Sequence, residues 1–284
     1  MTITTTLIDE SPWAVRPQGV QHPLTRTRHD DIVSLPRAVR SEWIKMTSIR
    51  SNPTILASSV VIGLLLSWII ATFVRTDPDT HEVFTVAQTF IFSTWLSTVL
   101  AAITGTLMFT SEVQHGTLSA VVTAQPARWV TVVAKAAIAA GFGLAMGVLA
   151  MIGGFSGATL SGLDMGDTSG MAATALRGLM VASVAAVLGL GVGMIIRHSS
   201  AAVSTLLVWA LVLENIVRTV APPTTSRFLP FSAADHLLGI KSASDTAATA
   251  VVALSRVQDA FLYIGYAAAA LVIGTVLLYR RDTN

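Results

Sequence analysis

Three lysines, six histidines and no cysteine narrow the chemistry open to this chain before any fold is considered. Nucleotide hydrolysis at a phosphate-binding loop needs a lysine directly after a glycine, because the Gly-rich turn cradles the phosphates while the ammonium reaches them. Lys45, Lys135 and Lys241 follow Ile44, Ala134 and Ile240, so the sequence contains no such loop. Without cysteine there is neither a disulfide framework nor a thiolate metal site. No histidines and carboxylates stand at metal spacing either; His81-Glu82 has no second histidine where a zinc helix needs one.

Serine and acid chemistry remain. Gly154-Phe155-Ser156-Gly157 spells GxSG and is similar to the nucleophile motif of rhomboid intramembrane proteases. Such a serine needs a histidine within hydrogen-bond reach. That family carries its base in the last core span, whereas residues 260–279 hold none. His22, His29, His81, His115, His198 and His236 all fall in expected tails or connections. Small residues near the end of a span are the plainer reading of the motif.

Glu214 is the acid that falls inside an apolar run, where a charge costs about 2.5–3.5 kcal/mol at mid-bilayer. Arg218 lies at i+4 on the same face, so an ion pair near one end of the helix is one reading. A proton or substrate site, as in an ion-coupled secondary transporter, is the other. Thr85, Thr89, Ser93 and Ser97 step by four and make a hydroxyl stripe. The stripe either supplies interhelical hydrogen bonds or walls an uncharged pathway suited to an apolar or amphiphilic cargo. Gly143/Gly147 and Gly189/Gly193 are GxxxG pairs, read as sites of close helix packing.

The elements that would position these residues follow from composition. Of 284 residues, 52% are hydrophobic and 12% charged, with a mean hydropathy of +0.67. Soluble domains carry about 25% charged residues, so a soluble enzyme, a disordered chain and a fibrous repeat are excluded. Six apolar runs, at about 55–74, 83–110, 134–156, 178–196, 200–220 and 260–279, can each cross roughly 30 Å of hydrocarbon as a helix rising about 1.5 Å per residue. Short alternating strands are absent, so helices rather than a barrel satisfy the backbone.

The expected fold is therefore an all-α integral membrane protein, with six transmembrane helices preceded by an amphipathic interfacial helix and both termini cytoplasmic. Residues 1–32 read as a flexible cytoplasmic tail without an apolar h-region, so no cleaved signal peptide is expected. Residues 33–284 form the membrane domain. In the stretch 34–52, Leu35, Val39, Trp43 and Met46 recur at helical steps among Arg37, Arg40, Lys45 and Arg50, which fits a helix lying in the headgroup layer. Twelve of the eighteen Lys and Arg residues fall on the side of the N-terminus, which fixes that side as cytoplasmic. The net charge of +2 and pI near 9.3 come from residues flanking the spans, so no nucleic-acid partner is expected. Residues 111–133 become a cytoplasmic loop and 221–259 an extracellular segment, within which 245–257 reads as a short apolar helix on the outer leaflet.

The loop decides among functions. Residues 111–135 read SEVQHGTLSAVVTAQPARWVTVVAK, with a helix-compatible stretch from Thr117 to Ala124 ended by Pro126. A small cytoplasmic helix held between two spans transmits force, because it cannot move without its flanks. Here the sequence resembles the permease subunits of type-2 ATP-binding-cassette (ABC) exporters. Glu112, Gly116-Thr117, Pro126, Arg128 and Lys135 match that family's loop in order and spacing. Phe228-Leu229-Pro230-Phe231 is similar to its external Leu-Pro-Phe segment, and the 34–52 helix to its connecting helix.

The resemblance implies that the loop helix docks on a separate ABC-type ATPase subunit, with Glu112, His115, Gly116, Thr117, Pro126 and Arg128 as coupling residues. Two permease chains, as a homo- or heterodimer in membrane lipid, would join two ATPases. ATP and Mg would bind those partners and this chain would bind no cofactor or metal. It would not be an enzyme by itself, but would supply the pathway for a drug, peptide antibiotic or lipid-like cargo across the plasma membrane of a prokaryote.

Overall fold

The structure, a computed structural model, describes residues 35–48, 51–76, 83–117, 128–240 and 253–281. Within them the chain is helical, and the sole extended pairing is a bridge between Thr76 and Val83. Six of the described helices are long and apolar enough to cross a membrane: Asn52–Val74, Val86–Gln114, Arg128–Leu160, Met171–Ile196, Ser199–Val220 and Arg256–Arg280. This is the all-helical, six-span arrangement expected from the apolar runs.

The described residues form α-helices joined by two π-helical stretches. Helix α1 (Leu35–Ser48) precedes α2 (Ser51–Ile69), which continues through a π-helical turn, Ile70–Val74. The second span opens with α3 (Val86–Thr89), breaks at Phe90 and Ile91, and resumes as α4 (Phe92–Gln114). Next come α5 (Arg128–Leu160) and α6 (Met171–Ile196). The fifth span is α7 (Ser199–Val208), a π-helical stretch Trp209–Leu213, and α8 (Glu214–Val220). Helices α9 (Pro223–Ser226) and α10 (Pro230–Leu238) lead to the last span, α11 (Arg256–Arg281).

Several helices outrun their apolar sequence. Helix α5 begins at Arg128 rather than 134, α6 at Met171 rather than 178, and α11 at Arg256 rather than 260. An apolar run marks what lipid can cover, while backbone hydrogen bonding carries the helix on into polar surroundings. Glu112 to Gln114 thus close α4, and residues 128–133 open α5 instead of belonging to a loop. The expected helix from Thr117 to Ala124, with Pro126, lies outside the described residues, as do the tail 1–32 and most of 245–257. Arg256 and Val257 form the first turn of α11 rather than the end of a separate helix.

The bundle centres on α4 and α6. Their backbones approach so closely that a Cβ on Gly189 would collide with the carbonyl of Ala102, and one on Gly105 with that of Ala186. At this contact the Thr106 hydroxyl lies 3.0 Å from the Ala102 carbonyl and 2.9 Å from the Gly189 carbonyl, bridging the two helices. Small residues permit this approach, and dispersion between the closely set backbones holds it where no hydrophobic effect operates between helix and lipid. Helix α5 lies across both and also carries α2.

Helix α1 docks through Ala38, Glu42 and Met46. Ala38 packs with Val130 and Ala134 of α5, while Trp43 is 58% exposed. The inward face thus lies one step round from the stripe of Leu35, Val39, Trp43 and Met46, and it contains a carboxylate.

The segment 221–259 is not a surface connection throughout. Helix α10 starts on Pro230, whose fixed φ suits the first helical turn, and ends on Gly239 at φ 73°. Its Phe231, Ala233, Ala234, Leu237 and Leu238 are buried in the largest core with Val181, Leu206 and Tyr263. This short helix is plugged into the end of the bundle opposite α1.

Candidate functional site

Four charges converge where α1 meets α4 and α5. Lys135 Nζ lies 2.6 Å from Glu112 Oε1 and 2.7 Å from Glu42 Oε2. Lys45 Nζ lies 2.7 Å from Glu42 Oε1 and 3.0 Å from Glu112 Oε1. The Lys135 and Glu42 side chains are only 3% and 6% exposed, whereas that of Lys45 is 38% exposed. Two acids and two bases give a neutral set, and hydrogen bonds from each ammonium to both carboxylates make burial tolerable.

Each member sits where its helix forces it. Glu42 follows Ala38 by four residues on the docked face of α1, and Lys45 is one turn further on. Glu112 is in the last turn of α4 and Lys135 in the second turn of α5, so their bond closes the neck of the intervening loop. Burial of Lys45 by itself would lower its pKa; the Glu42 and Glu112 carboxylates outweigh that and hold it above its ordinary 10.5.

Other contacts bind the same end. Ser199, opening α7, donates from its hydroxyl to Thr110 Oγ1 at 2.8 Å or to Gln114 Oε1 at 2.9 Å in α4. Arg128 stacks over the Tyr279 ring at 5.5 Å and reaches the Leu278 carbonyl at the C-terminal end of α11. His115 turns back through its ring to the Ser111 carbonyl. Gly116 takes φ 67°, and the Thr117 amide donates to the Glu112 carbonyl at 3.0 Å. Of the expected coupling residues, Glu112 and Arg128 are thus tied to neighbouring helices, His115, Gly116 and Thr117 form the turn leaving α4, and Pro126 is outside the described residues.

Glu214 has a local explanation. Its Oε1 accepts from the Phe231 amide and Oε2 from the Ser232 amide, each at 2.9 Å, and the Trp209 indole donates to Oε1 at 3.1 Å. The carboxylate therefore caps the N-terminus of α10, where free amides and the helix dipole both favour an anion. The π-helical stretch aids this, since its i→i+5 bonding runs from the Glu214 amide to the Trp209 carbonyl and brings the two side chains onto one face. The expected pairing with Arg218 is present but long, at 3.5 Å; Arg218 makes its shorter bond, 2.8 Å, to Asp235 of α10.

The hydroxyl stripe is mostly enclosed within this chain. Thr85 ends up at the cap of α3, where Gln88 accepts from its amide. Thr89, Ser93 and Ser97 are fully buried, on a helix interrupted at Phe90 and Ile91. The GxSG glycines are packing residues: a Cβ on Gly154 would strike Ser93 and one on Gly157 the Leu64 carbonyl. Ser156 donates to the Ile152 carbonyl of its own helix at 2.8 Å.

Glu42 is a member of this cluster that the sequence does not single out. Its signal was present: an acid four residues from Ala38 on the face that also carries Met46.

Compared with family models, curated proteins and solved structures, the chain matches none.

Proposed function

We propose that the chain is the membrane-spanning permease subunit of a type-2 ABC exporter, driven by a separate ATPase that engages the loop between the second and third spans. The α1 end is then cytoplasmic, α1 lies in the inner headgroup layer with Trp43 outward, and both termini are cytoplasmic. The membrane is the plasma membrane of a prokaryote, and the cargo is apolar or amphiphilic.

The four-charge cluster carries this reading. A push on the loop must move the end of α4 or the start of α5, and Glu112 and Lys135 lock those two ends to each other and to α1. Ser199 and Arg128 extend the linkage to α7 and α11. An input at one loop thereby reaches four spans and the interfacial helix through ionic and hydrogen-bonded contacts. The roles found for Glu214 in capping and for Gly154 and Gly157 in packing leave neither an ion-coupled site nor a protease site as the better account.

The test is isolation of the tagged chain from its native membranes, followed by mass spectrometry of what accompanies it. A P-loop ATPase of ABC type should co-purify, and the reconstituted complex should move an amphiphilic dye only with hydrolysable ATP. Purification without any ATPase, together with ATP-independent dye movement, would overturn the proposal.

A further inference from the structure

A groove of about 290 Å³ runs between α6 and α11 at the end opposite α1. Arg177 and Arg256 stand at its rim, and Met180, Leu237, Phe261 and Ile264 line it. Its floor opens on an apolar surface: Phe261 is 73% exposed and Val257 65%. On a helix apolar enough to cross a membrane, such a surface faces acyl chains rather than water.

The rim carries two positive charges. The two guanidinium groups line the same groove, and among the described residues neither has a carboxylate partner. Arg177 donates to Thr174 Oγ1 at 2.6 Å, while its buried Nε has no acceptor. The acid next along α11, Asp259, is turned inward, 1% exposed, with its carboxylate 3.8 Å from His236 Nδ1. Asp235 is engaged by Arg218. Two forked donors without an anion, above an apolar trough, complement a phosphate carrying hydrocarbon. Arg177 also stands close to one end of its helix, six residues and thus roughly 9 Å along α6 from its first residue.

We propose that this groove is a binding site for an anionic membrane phospholipid, whose phosphate lies between Arg177 and Arg256 and whose acyl chain follows Met180, Phe261 and Ile264. The site is independent of the exporter reading, because it requires only that α6 and α11 span a bilayer. Bound lipid offsets part of the arginine pair's positive charge and joins the fourth span to the sixth.

The full chain purified in detergent tests this by native mass spectrometry and thermal unfolding with added phosphatidylglycerol, phosphatidylcholine or inorganic phosphate. Phosphatidylglycerol should be retained and raise the midpoint, while phosphatidylcholine and phosphate alone should do neither. The variant Arg177→Gln/Arg256→Gln should bind phosphatidylglycerol about tenfold or more weakly, since each basic residue at a membrane surface contributes substantially to anionic-lipid affinity. Ile264→Trp, which fills the groove and leaves both arginines, should weaken it too. Equal retention of both lipids by the unaltered chain, which needs no variant to fold, overturns the proposal. So does undiminished binding in the double glutamine variant, or a phosphate effect equal to the lipid's.

Discussion

Lys135 holds its ammonium 2.7 Å from Glu42 across 93 residues of chain, almost out of contact with solvent. The bond fastens a helix outside the six spans to the third of them. It also makes Lys135 the more deeply buried of the two lysines that together balance Glu42 and Glu112.

Lys135→Ala should therefore cost far more than Lys45→Ala. Removing one partner of a buried ion pair costs about 3–5 kcal/mol, because the charge left behind is uncompensated. An ion pair with a substantially exposed lysine is worth about 1 kcal/mol or less. Thermal unfolding in detergent should rank the two variants in that order, and equal shifts would contradict the burial assigned to Lys135.

Glu112→Ala separates anchoring from stability. Lys135 keeps Glu42 in this variant, so the protein should still insert and purify. The end of α4 then loses its ionic ties to both α1 and α5, while α5 stays fastened to α1 through Lys135 and Glu42. In reconstituted vesicles with the proposed ATPase partner, dye export should fall while ATP hydrolysis persists. Export at the unaltered rate would remove Glu112 from the coupling path.

Alkaline pH should loosen α1. The pKa of Lys45 is raised in the folded chain, so its ionic contribution is fully present below the ordinary value of 10.5 and is lost as pH climbs through the higher folded value. Unfolding midpoints followed into that range should decline in the unaltered protein, and Lys45→Met should flatten this limb. A decline of unchanged steepness in the variant would assign the effect elsewhere.

Glu214→Ala should free the start of α10. The Phe231 and Ser232 amides lose a charged acceptor, a kind of bond worth about 1.5–3 kcal/mol. Their hydrogen exchange should accelerate relative to amides in the middle of α6. Unchanged protection would mean that neighbouring packing alone holds α10.

Glycine substitutions should split by location. Gly189→Ala forces a Cβ onto the Ala102 carbonyl and should destabilise by about 1–3 kcal/mol. Gly141, also mid-helix, has open space around it, so Gly141→Ala should be neutral or stabilising by up to about 1 kcal/mol. Thermal midpoints distinguish the two directly.

The six helices were legible because an uncharged run long enough to cross lipid has few other uses. Their ends were not, since α5 continues through Arg128 and α6 through Arg177, where hydropathy drops and helical bonding does not. Glu214 and Arg218 were visible as an i,i+4 pair. The acid's main acceptor role was hidden, because its donors are backbone amides at Phe231 and Ser232, which carry no side-chain signature. The cluster of Glu42, Lys45, Glu112 and Lys135 draws on three helices, and no spacing within one segment encodes such a meeting. The inward face of α1 differs by one step from the apolar stripe because that stripe ranks residues by size. Docking instead selects Ala38, whose small side chain allows the close approach to α5.

The seating of α10 sets an order on manufacture. Its apolar face is finally covered by Tyr263 and Ala267 of the last helix, while the Glu214 carboxylate in the fifth requires the amides that α10 brings. Without the helix that begins at Arg256, α10 keeps Val181 and Leu206 against it but leaves the part of its apolar face that Tyr263 and Ala267 cover open. Full seating of α10 therefore waits on residues made well after it, so its docking is a late step of assembly rather than a local one.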